Sequence, residues 1–342
     1  MKRRPVVGVT MGDAAGIGPE IIIKALSRRE VRNAAACAVY GSPEVMVRAA
    51  EKFGFSGSIR SVDDIRDCSF PEHDIEVIRC AEADAVLCPV GKVSAVCGDL
   101  AFRSVVRAVT DAQAGLIDAA ATGPINKESL QAAGHQFAGH TEIFAHYTGT
   151  KDYTMMLIEG NLRVVHVSTH VSLREALDLV KTERIITVIS LAHQALRDMG
   201  ITDPRIAVAG LNPHAGEGGL FGREEIEEII PAVEASRDQG AVGPIPADTV
   251  FSRAAGGEFD AVAAMYHDQG HIPLKMAGFR YGGAQGPDIS GVNVTLGTPV
   301  IRCSVDHGTA FDLAEQGGAH EGSMVSAVMT AAAMAARRAK RV

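Results

Sequence analysis

Short apolar runs alternate with amphipathic stretches along nearly the whole chain, and this alternation most constrains the fold. Apolar runs of about four to eight residues separated by helical segments indicate a largely parallel sheet covered by helices. Nine runs predict strands: Val6–Met11, Cys37–Tyr40, Ile117–Ala121, Met155–Glu159, Leu162–Ser168, Ile206–Leu211, Ala261–Met265, Gly291–Leu296 and Val300–Val305. The pair Gly160 and Asn161 predicts a two-residue hairpin, so part of this α/β fold is expected to be antiparallel.

Helix-boundary signals support this interpretation. Pro19 marks a first helical turn, Ser172 opens a capping box, and Gly200 and Gly240 are placed to end helices. The last helix is predicted from an N-cap at Ser323 to about residue 338, packed back on the N-terminal part. At 342 residues the chain is long enough for two lobes. We expect a discontinuous first lobe, 1–130 plus 307–342, and a central lobe, 131–306.

Composition and charge exclude several classes of protein. The chain has 46% hydrophobic residues, 22% charged residues and a formal net charge of −8, which argues against a nucleic-acid-binding surface. We expect no signal peptide and no membrane span, because no apolar run reaches about 18 residues. The six cysteines form no C-x-x-C pair, which is typical of a reduced, cytoplasmic chain.

Three histidines each follow an apolar run at the start of a polar loop: His170, His214 and His267. Ligands of α/β proteins bind beyond the carboxyl ends of strands, so three imidazoles there predict one metal-centred active site. Three neutral imidazoles leave a divalent ion with open positions for substrate oxygens. Zinc fits these ligands best, and manganese, cobalt or magnesium could replace it if the substrate supplies oxygens.

Simpler interpretations of single histidines stay open. His170 could merely cap the next helix, and the four glycines that follow His214 could mark a mobile loop. His271 competes with His267 as a ligand, although His267 lies nearer the strand end. His166 is one step inside its strand and is interpreted as a structural residue or a neighbour of the ligands.

Cationic and polar side chains near strand and helix ends predict an anionic substrate. His140 and Thr141 stand at a predicted helix start, where backbone N–H groups favour a phosphate or carboxylate. Lys127 follows another strand end, Lys275 follows His267 by one or two helical turns, and the segment "VNVTLGTPVIR" contributes Asn293 and Arg302. Each alone is more often a helix cap or surface charge, but together they indicate a substrate with phosphate and carboxylate groups.

The glycine-rich N-terminal segment predicts no nucleotide-binding motif of its own. Gly12, Gly16 and Gly18 in "TMGDAAGIGPEI" match neither the dinucleotide fingerprint nor the phosphate-binding loop, which needs a following lysine. We therefore do not predict a Rossmann fold from this segment.

Nine segments, in order and over nearly the whole chain, resemble the 4-hydroxythreonine-4-phosphate dehydrogenase (PdxA) family of pyridoxal phosphate biosynthesis. They are "MGDAAGIGPE", "TGPINKE", "AGHTE", "STH", "NPHAGEGGLFG", "PADTVF", "YHDQGHIPLK", "GVNVTLG" and "IRCSVDHGTAFDLA". The resemblance implies an isocitrate/isopropylmalate-dehydrogenase-like fold of two α/β/α lobes with a cleft between them. It also implies an obligate homodimer whose shared active site draws metal ligands from both subunits.

The matching motifs imply roles for individual residues. The implied metal ligands are His170, His214 and His267, and the implied substrate-binding residues are His140, Thr141, Lys275, Asn293 and Arg302. Asp248, Asp268 and Lys275 are the implied catalytic residues. The segment Asp306, His307, Gly308 and Thr309 resembles the cofactor loop of the wider fold, and we expect NAD or NADP near it.

The implied reaction is the oxidation of the 3-hydroxyl of a 4-phosphorylated hydroxy acid, followed by decarboxylation of the β-keto acid. A divalent ion on the hydroxyl lowers its pKa, orients its C–H bond and later stabilises the enolate. The implied substrates are 4-phosphohydroxy-L-threonine or 4-phospho-D-threonate/D-erythronate, with "HVSTHVSLRE" closer to the second branch. A third branch oxidises an aromatic cis-dihydrodiol carboxylate, against which the retained anion-binding set argues.

The sequence departs from the family pattern at three places. Ala14 replaces a usual proline, residues 279–291 form a longer connection than usual, and residues 314–324 are less regular.

A non-catalytic, metal-dependent sugar-phosphate-binding protein would keep the ligands without productive cofactor geometry. A metal-dependent phosphohydrolase would need a carboxylate-rich two-metal site, which the sequence does not show.

Overall fold

The structure is a computed structural model that describes residues 3–81, 88–278 and 291–340. The strands in this part of the chain are β1 (Val6–Thr10), β2 (Ala36–Gly41), β3 (Ile59–Val62), β4 (Ile75–Arg79), β5 (Ala119–Thr122), β6 (Thr154–Glu159), β7 (Leu162–His166), β8 (Ile206–Ala209), β9 (Ala241–Ile245), β10 (Ala261–Ala264), β11 (Val292–Leu296) and β12 (Arg302–Val305). The α-helices are α1 (Gly18–Ser27), α2 (Arg29–Ala34), α3 (Pro43–Lys52), α4 (Ala95–Gln113), α5 (Lys127–Ala132), α6 (His140–Thr148), α7 (Leu173–Asp178), α8 (Thr182–Asp198), α9 (Ile230–Ala235), α10 (Ala247–Ala255), α11 (His267–Gly278) and α12 (Gly322–Arg338), and a π-helical turn, Glu225–Ile229, leads into α9. No helix of the described ranges is long and apolar enough to cross a membrane.

The described residues form two compact units. Unit 1 contains residues 3–81, 88–151, 291–292 and 298–340, and unit 2 contains residues 152–278 and 293–297. This division differs from the predicted one, since residues 131–151, 291–292 and 298–306 belong to unit 1. The reason is packing: α6 contacts α4, and β12 pairs with β5, so both remain with the N-terminal sheet.

Unit 1 is built on parallel strands in the order β3-β4-β2-β1-β5-β12. All residues of β1 and β5 are buried, as expected for parallel strands covered by helices. Helices α4 and α12 both contact β1 and β5. The packing is close at Gly8, where a Cβ atom would lie 2.7 Å from the Ile117 side chain and 2.8 Å from the Tyr40 ring.

The C-terminal helix α12 packs on unit 1, as predicted, against β1, β5, β12, α1 and α2. Its predicted N-cap at Ser323 is wrong, because the helix begins at Gly322 and its N-cap is Glu321. The Ser323 hydroxyl instead donates to the Gly291 carbonyl at 2.5 Å and accepts from the Asp306 N–H at 3.1 Å. This side chain is therefore committed to tertiary contacts rather than to capping.

Unit 2 has the strand order β11-β6-β7-β10-β8-β9. The strands β7, β10, β8 and β9 are parallel neighbours, whereas β6 and β7 form the predicted antiparallel hairpin around Gly160 and Asn161. Its core joins strand residues to α10 and α11 through buried side chains such as Val164, Val262, Phe251 and Leu274. The predicted cap is confirmed at Ser172, whose Oγ accepts from the Glu175 N–H in α7.

All nine predicted strands are confirmed, with ends that shift by up to two residues, and the described ranges contain three further strands that were not predicted. These are β3, β4 and β9. Charged residues interrupt the apolar pattern of β3 and β4, and β9 contains Gly243 and Pro244. The unusual connection at 279–291 lies outside the described residues except for its last residue, Gly291.

Candidate active site

In unit 2, the parallel pairing of β7 and β10 brings two of the predicted ligands together. Ala264 pairs with His166 in register, and the chains continue side by side, with the Ser168 hydroxyl donating to the Met265 carbonyl at 3.1 Å. The ring centroids of His170 and His267 are consequently 5.8 Å apart. Both side chains border a pocket of about 530 Å³, lined by residues from 169–176 and 266–268.

His267 is the first residue of α11 and has a defined orientation. Its Nδ1 lies 2.6 Å from Asp268 Oδ1. One helical turn later, the His271 ring stacks on it with centroids 3.7 Å apart and an 11° angle between the planes. A carboxylate on Nδ1 fixes the imidazole and leaves Nε2 for a metal ion, as is usual for metal-binding histidines.

The rival ligand His271 and the inner His166 form the back of this histidine group. Their ring centroids are 4.7 Å apart, and His166 is completely buried. Burial, followed by the neighbouring imidazoles, lowers the pKa of His166 to about 3 and that of His271 to about 4. Both rings are therefore neutral at physiological pH, and the buried His166 supports the others by packing.

The third predicted ligand, His214, lies in a loop with an unusual backbone. This loop follows β8 and has positive φ angles at His214, Ala215 and Glu217 as well as at its glycines. A left-handed conformation costs a non-glycine residue about 1–2 kcal/mol. The His214 Nδ1 lies 3.2 Å from Glu217 Oε2, so a carboxylate orients this imidazole too.

These donors fit a divalent metal ion in kind. His214 and His267 each have a carboxylate at Nδ1, and His170 and His267 lie close together. Among the residues that the structure describes, however, no three His, Cys, Asp or Glu side chains are grouped closely enough to hold a metal ion. The chain thus brings two of the three predicted ligands together, and His214 remains a predicted ligand.

A second group of predicted residues lies in unit 1 around the buried side chain of Arg302. Its Nε and Nη2 donate to Thr122 Oγ1 at 3.2 and 2.9 Å, and its Nη1 donates to Thr141 Oγ1 at 3.3 Å. Burial lowers the pKa of Arg302 to about 10, so the guanidinium stays charged at neutral pH. The Phe144 ring centroid is 5.8 Å from its central carbon.

His140 begins α6 beside this guanidinium. Burial and, secondarily, the charge of Arg302 hold the pKa of His140 well below its usual value, so the imidazole is neutral. Its buried Nε2 has no hydrogen-bond partner in the described part of the protein. A buried polar atom of this kind is suited to bind a ligand oxygen. The group formed by Arg302, Thr122, Thr141 and His140 is called the arginine group below.

Thr122 was not among the predicted site residues, although its motif, "TGPINKE", is one of the segments that resemble the family. The signal that could have identified it is its place as the last residue of β5, directly before Gly123. Lys127, which was predicted to help bind an anion, is exposed in the first turn of α5. The hydroxyl at the strand end, together with that of Thr141, thus contacts the buried guanidinium.

The remaining predicted residues have simpler surroundings. Asp248 is exposed in the first turn of α10, Lys275 is exposed on α11, and Asp268 contacts His267. Asn293 lies on β11, where its Nδ2 is 3.7 Å from Met155 Sδ. Asp268 thus contacts the histidine group directly, and the charge of Lys275 acts on His271 of the same group.

The predicted cofactor segment, residues 306–309, packs against the glycine-rich segment of unit 1. The Ile17 N–H donates to the Thr309 carbonyl at 3.0 Å. A Cβ atom on Gly16 would lie 2.7 Å from the Thr309 oxygen, so this approach requires glycine. The glycine-rich segment thus supports the predicted cofactor segment by close backbone packing.

Comparison with known proteins identifies the family. Residues 33–331 match the family model described as "Pyridoxal phosphate biosynthetic protein PdxA". The chain is 47% identical to a D-threonate 4-phosphate dehydrogenase from Cupriavidus necator, with 98% of each chain covered. The chain therefore belongs to the PdxA family and, as its named relatives are dehydrogenases, is an oxidoreductase.

Solved structures agree with this assignment. A crystal structure of 4-hydroxythreonine-4-phosphate dehydrogenase from Klebsiella pneumoniae has a TM-score of 0.85 and 46% identity, covering 97% of this chain and 98% of the other. A terephthalate 1,2-cis-dihydrodiol dehydrogenase from Burkholderia xenovorans is less similar, with a TM-score of 0.67, 32% identity and coverage of 96% and 98%. The predicted α/β fold and family are confirmed.

Proposed function

We propose that the chain is a metal-dependent, NAD(P)-linked dehydrogenase that oxidises the 3-hydroxyl of a 4-phosphorylated hydroxy acid and decarboxylates the β-keto acid. The observation that carries the proposal is the arginine group. A buried, charged guanidinium held by the hydroxyls of Thr122 and Thr141, next to the unpartnered Nε2 of His140, suits a phosphate or carboxylate.

The favoured substrate is 4-phospho-D-threonate. The chain is 47% identical to a D-threonate 4-phosphate dehydrogenase but 32% identical to a cis-dihydrodiol dehydrogenase, over nearly the full length in both cases. The alternative phosphorylated substrate is 4-phosphohydroxy-L-threonine, because a relative with that activity in its name is 46% identical. Oxidation transfers a hydride from C3 to the nicotinamide and releases the hydroxyl proton. Loss of carbon dioxide then breaks the C1–C2 bond, and the resulting enolate takes up a proton at C2 to give a three-carbon phosphorylated ketone.

The chain's own residues bind and orient in this reaction. His170, His214 and His267 would hold the divalent ion through imidazole nitrogens, with zinc as the first candidate and manganese, cobalt or magnesium as others. Asp268 and Glu217 fix two of these rings through Nδ1. When bound, the ion supplies Lewis-acid polarisation of the hydroxyl, and NAD or NADP supplies the two-electron acceptor.

The arginine group would bind an anionic end of the substrate. Arg302 supplies the charge, and neutral His140 supplies a hydrogen bond without adding a second cation. The exposed Lys275 and Asp248 are the remaining candidates for anion binding and proton transfer. Residues 306–309, supported by Gly16, would contact the dinucleotide.

The proposal includes a homodimer. Unit 2 exposes large apolar side chains near the predicted ligands: Leu173 is 63% exposed, Leu220 is 72% exposed and Met276 is 80% exposed. Large exposed apolar patches mark interaction surfaces, and we propose that these side chains contribute to one. Sedimentation of the wild type should give a dimer and that of Leu173→Glu a shift toward monomer, and a monomeric wild type would contradict this part.

Substrate discrimination tests the proposal. Purified protein is incubated with a divalent ion, NAD or NADP and each of 4-phospho-D-threonate, 4-phosphohydroxy-L-threonine, unphosphorylated D-threonate and a cis-dihydrodiol carboxylate. Absorbance of the reduced nicotinamide gives kcat/KM, which we expect to be highest for 4-phospho-D-threonate. No turnover of either phosphorylated acid while metal still binds would favour the non-catalytic binding protein.

A further inference from the structure

The loop that carries His214, residues 213–219, has a backbone that needs external support. Six successive residues have positive φ angles, from 45° at Glu217 to 99° at Gly219, and three of the six are not glycine. Such conformations persist only where the surrounding structure holds them. The contacts at the start and in the middle of the loop therefore determine where the His214 imidazole lies.

Glu225 supplies most of this support. Its side chain is 2% exposed, and its Oε1 accepts from the backbone N–H groups of Leu211 and Asn212 at 2.8 and 2.7 Å. Its Oε2 accepts from Asn212 Nδ2 at 2.9 Å. A Cβ atom on Gly216 would lie 2.6 Å from the same Oε2, so the carboxylate also packs against the middle of the loop.

Gln269 anchors the chain just before the loop. Its Nε2 donates to the Gly210 carbonyl at 2.8 Å, and its Oε1 accepts from the Met265 N–H at 2.7 Å. The side chain is 8% exposed. Because Met265 comes two residues before His267, this amide ties the start of the His214 loop to the segment that carries His267.

We propose that Glu225 and Gln269, together called the brace, are positioning residues that set the orientation of His214 and thereby the affinity for the divalent ion. The inference rests on the proposed metal-dependent function. Neither residue is assigned a contact with metal or substrate. Partners that orient metal ligands commonly change metal affinity about 10- to 100-fold when they are removed.

The polarity of Glu225 makes the brace testable with an isosteric variant. Its carboxylate accepts from three N–H groups, those of the Leu211 backbone, the Asn212 backbone and the Asn212 side chain. In Glu225→Gln the carboxamide keeps the volume but turns an N–H donor toward either the backbone of residues 211–212 or Asn212 Nδ2. At least one contact is lost in both orientations.

The matched control is Glu227→Gln. Glu227 lies two residues further along, its side chain is 57% exposed, and it pairs with Arg223 instead of the loop. The control removes the same charge from the same segment without touching residues 211–216. Gln269→Glu is the second test variant, because it keeps an acceptor for the Met265 N–H but loses the donor to Gly210.

The experiment measures binding of Co²⁺ and Zn²⁺ to the full chain by competition with a chromogenic chelator, the ligand-field absorption of bound Co²⁺, and amide hydrogen exchange of residues 211–219 in metal-free protein. We expect Glu225→Gln to weaken Co²⁺ affinity about 10- to 100-fold, to change the Co²⁺ spectrum and to speed exchange of these amides. Gln269→Glu should do the same to a smaller extent, and Glu227→Gln should match the wild type.

The possible results of this experiment distinguish a failure of the brace proposal from a failure of the proposed metal-dependent function. If the wild type binds metal, and folded Glu225→Gln binds it with the same affinity and the same Co²⁺ spectrum, the proposed role of the brace is wrong. If the wild type binds no divalent ion, the metal-dependent function fails, and the hydrogen exchange alone decides whether Glu225 holds the loop. Unchanged exchange then overturns the brace as well, whereas faster exchange confined to Glu225→Gln and Gln269→Glu supports it.

Discussion

Replacing Thr122 by valine tests whether the buried guanidinium of Arg302 is aligned for anion binding. The Thr122 hydroxyl accepts from Nε at 3.2 Å and from Nη2 at 2.9 Å, and Arg302 is 3% exposed. Valine has nearly the same shape as threonine but no acceptor. The variant therefore leaves two N–H groups of a buried cation without this oxygen while changing little of the packing.

The expected magnitude follows from these contacts. A hydrogen bond to a charged group is worth about 1.5–3 kcal/mol, and we count the single shared oxygen once. If the lost alignment appears in transition-state binding, kcat/KM for the phosphorylated acid falls roughly 10- to 150-fold. Thr141→Val removes one longer bond of 3.3 Å, so its effect should be smaller.

The assay compares kcat/KM and metal affinity for both variants and for the control Thr187→Val. The Thr187 hydroxyl donates to the Glu183 carbonyl within the exposed surface of α8. We expect the order Thr122→Val, Thr141→Val, Thr187→Val in loss of kcat/KM, with metal affinity unchanged in all three. A Thr122→Val enzyme within twofold of the wild type, or no worse than the control, would refute the role of the arginine group.

Three further predictions concern the cofactor segment, the arginine group and the metal. Gly16→Ala should raise the KM for the dinucleotide roughly tenfold or more, because the added Cβ atom displaces Thr309. The control Gly318→Ala has open space around its Cβ atom and should leave this KM unchanged, and equal KM values for the two variants would contradict the cofactor assignment. Burial lowers the pKa of His140, so the unfolded chain binds the proton more readily and the free energy of unfolding should fall as the pH drops below about 6.5. In denaturant titrations His140→Gln should lessen that fall, and an unchanged dependence of the free energy of unfolding on pH would contradict the prediction. His214→Ala should abolish metal binding and leave the circular dichroism spectrum unchanged. Full metal occupancy in this variant would contradict the assignment of His214 as a ligand.

The sequence predicted the parts of the fold that depend on local apolar patterning. The fully buried strands β1, β5, β8 and β10 are continuous apolar runs and were recognised as such. Strand β4 was missed because Glu76 interrupts its pattern. In the structure this carboxylate is buried and accepts from the backbone N–H groups of Ser69 and Phe70, a tertiary compensation that no local pattern reveals.

The site was predicted in the same partial way. Strand-end position identified His170 and His267, which the parallel pairing of β7 and β10 brings together. It could not identify Glu225, because the role of this residue depends on the unusual conformation of residues 213–219. Thr122 ends β5 and could have been predicted from the same signal, but its contact with Arg302, which is 180 residues away in the sequence, could not. The error at Ser323 has the same origin, since tertiary partners replaced the expected cap.

The central claim is metal-dependent oxidative decarboxylation, and the most direct test measures both products of one substrate. Carboxyl-labelled 4-phospho-D-threonate is supplied with NAD or NADP, and the reduced nicotinamide and the labelled carbon dioxide are quantified before chelation, after chelation and after zinc is restored. We predict equal amounts of the two products, loss of both on chelation and recovery of both with zinc. Reduced nicotinamide without carbon dioxide, or turnover that survives complete removal of the metal, would contradict it.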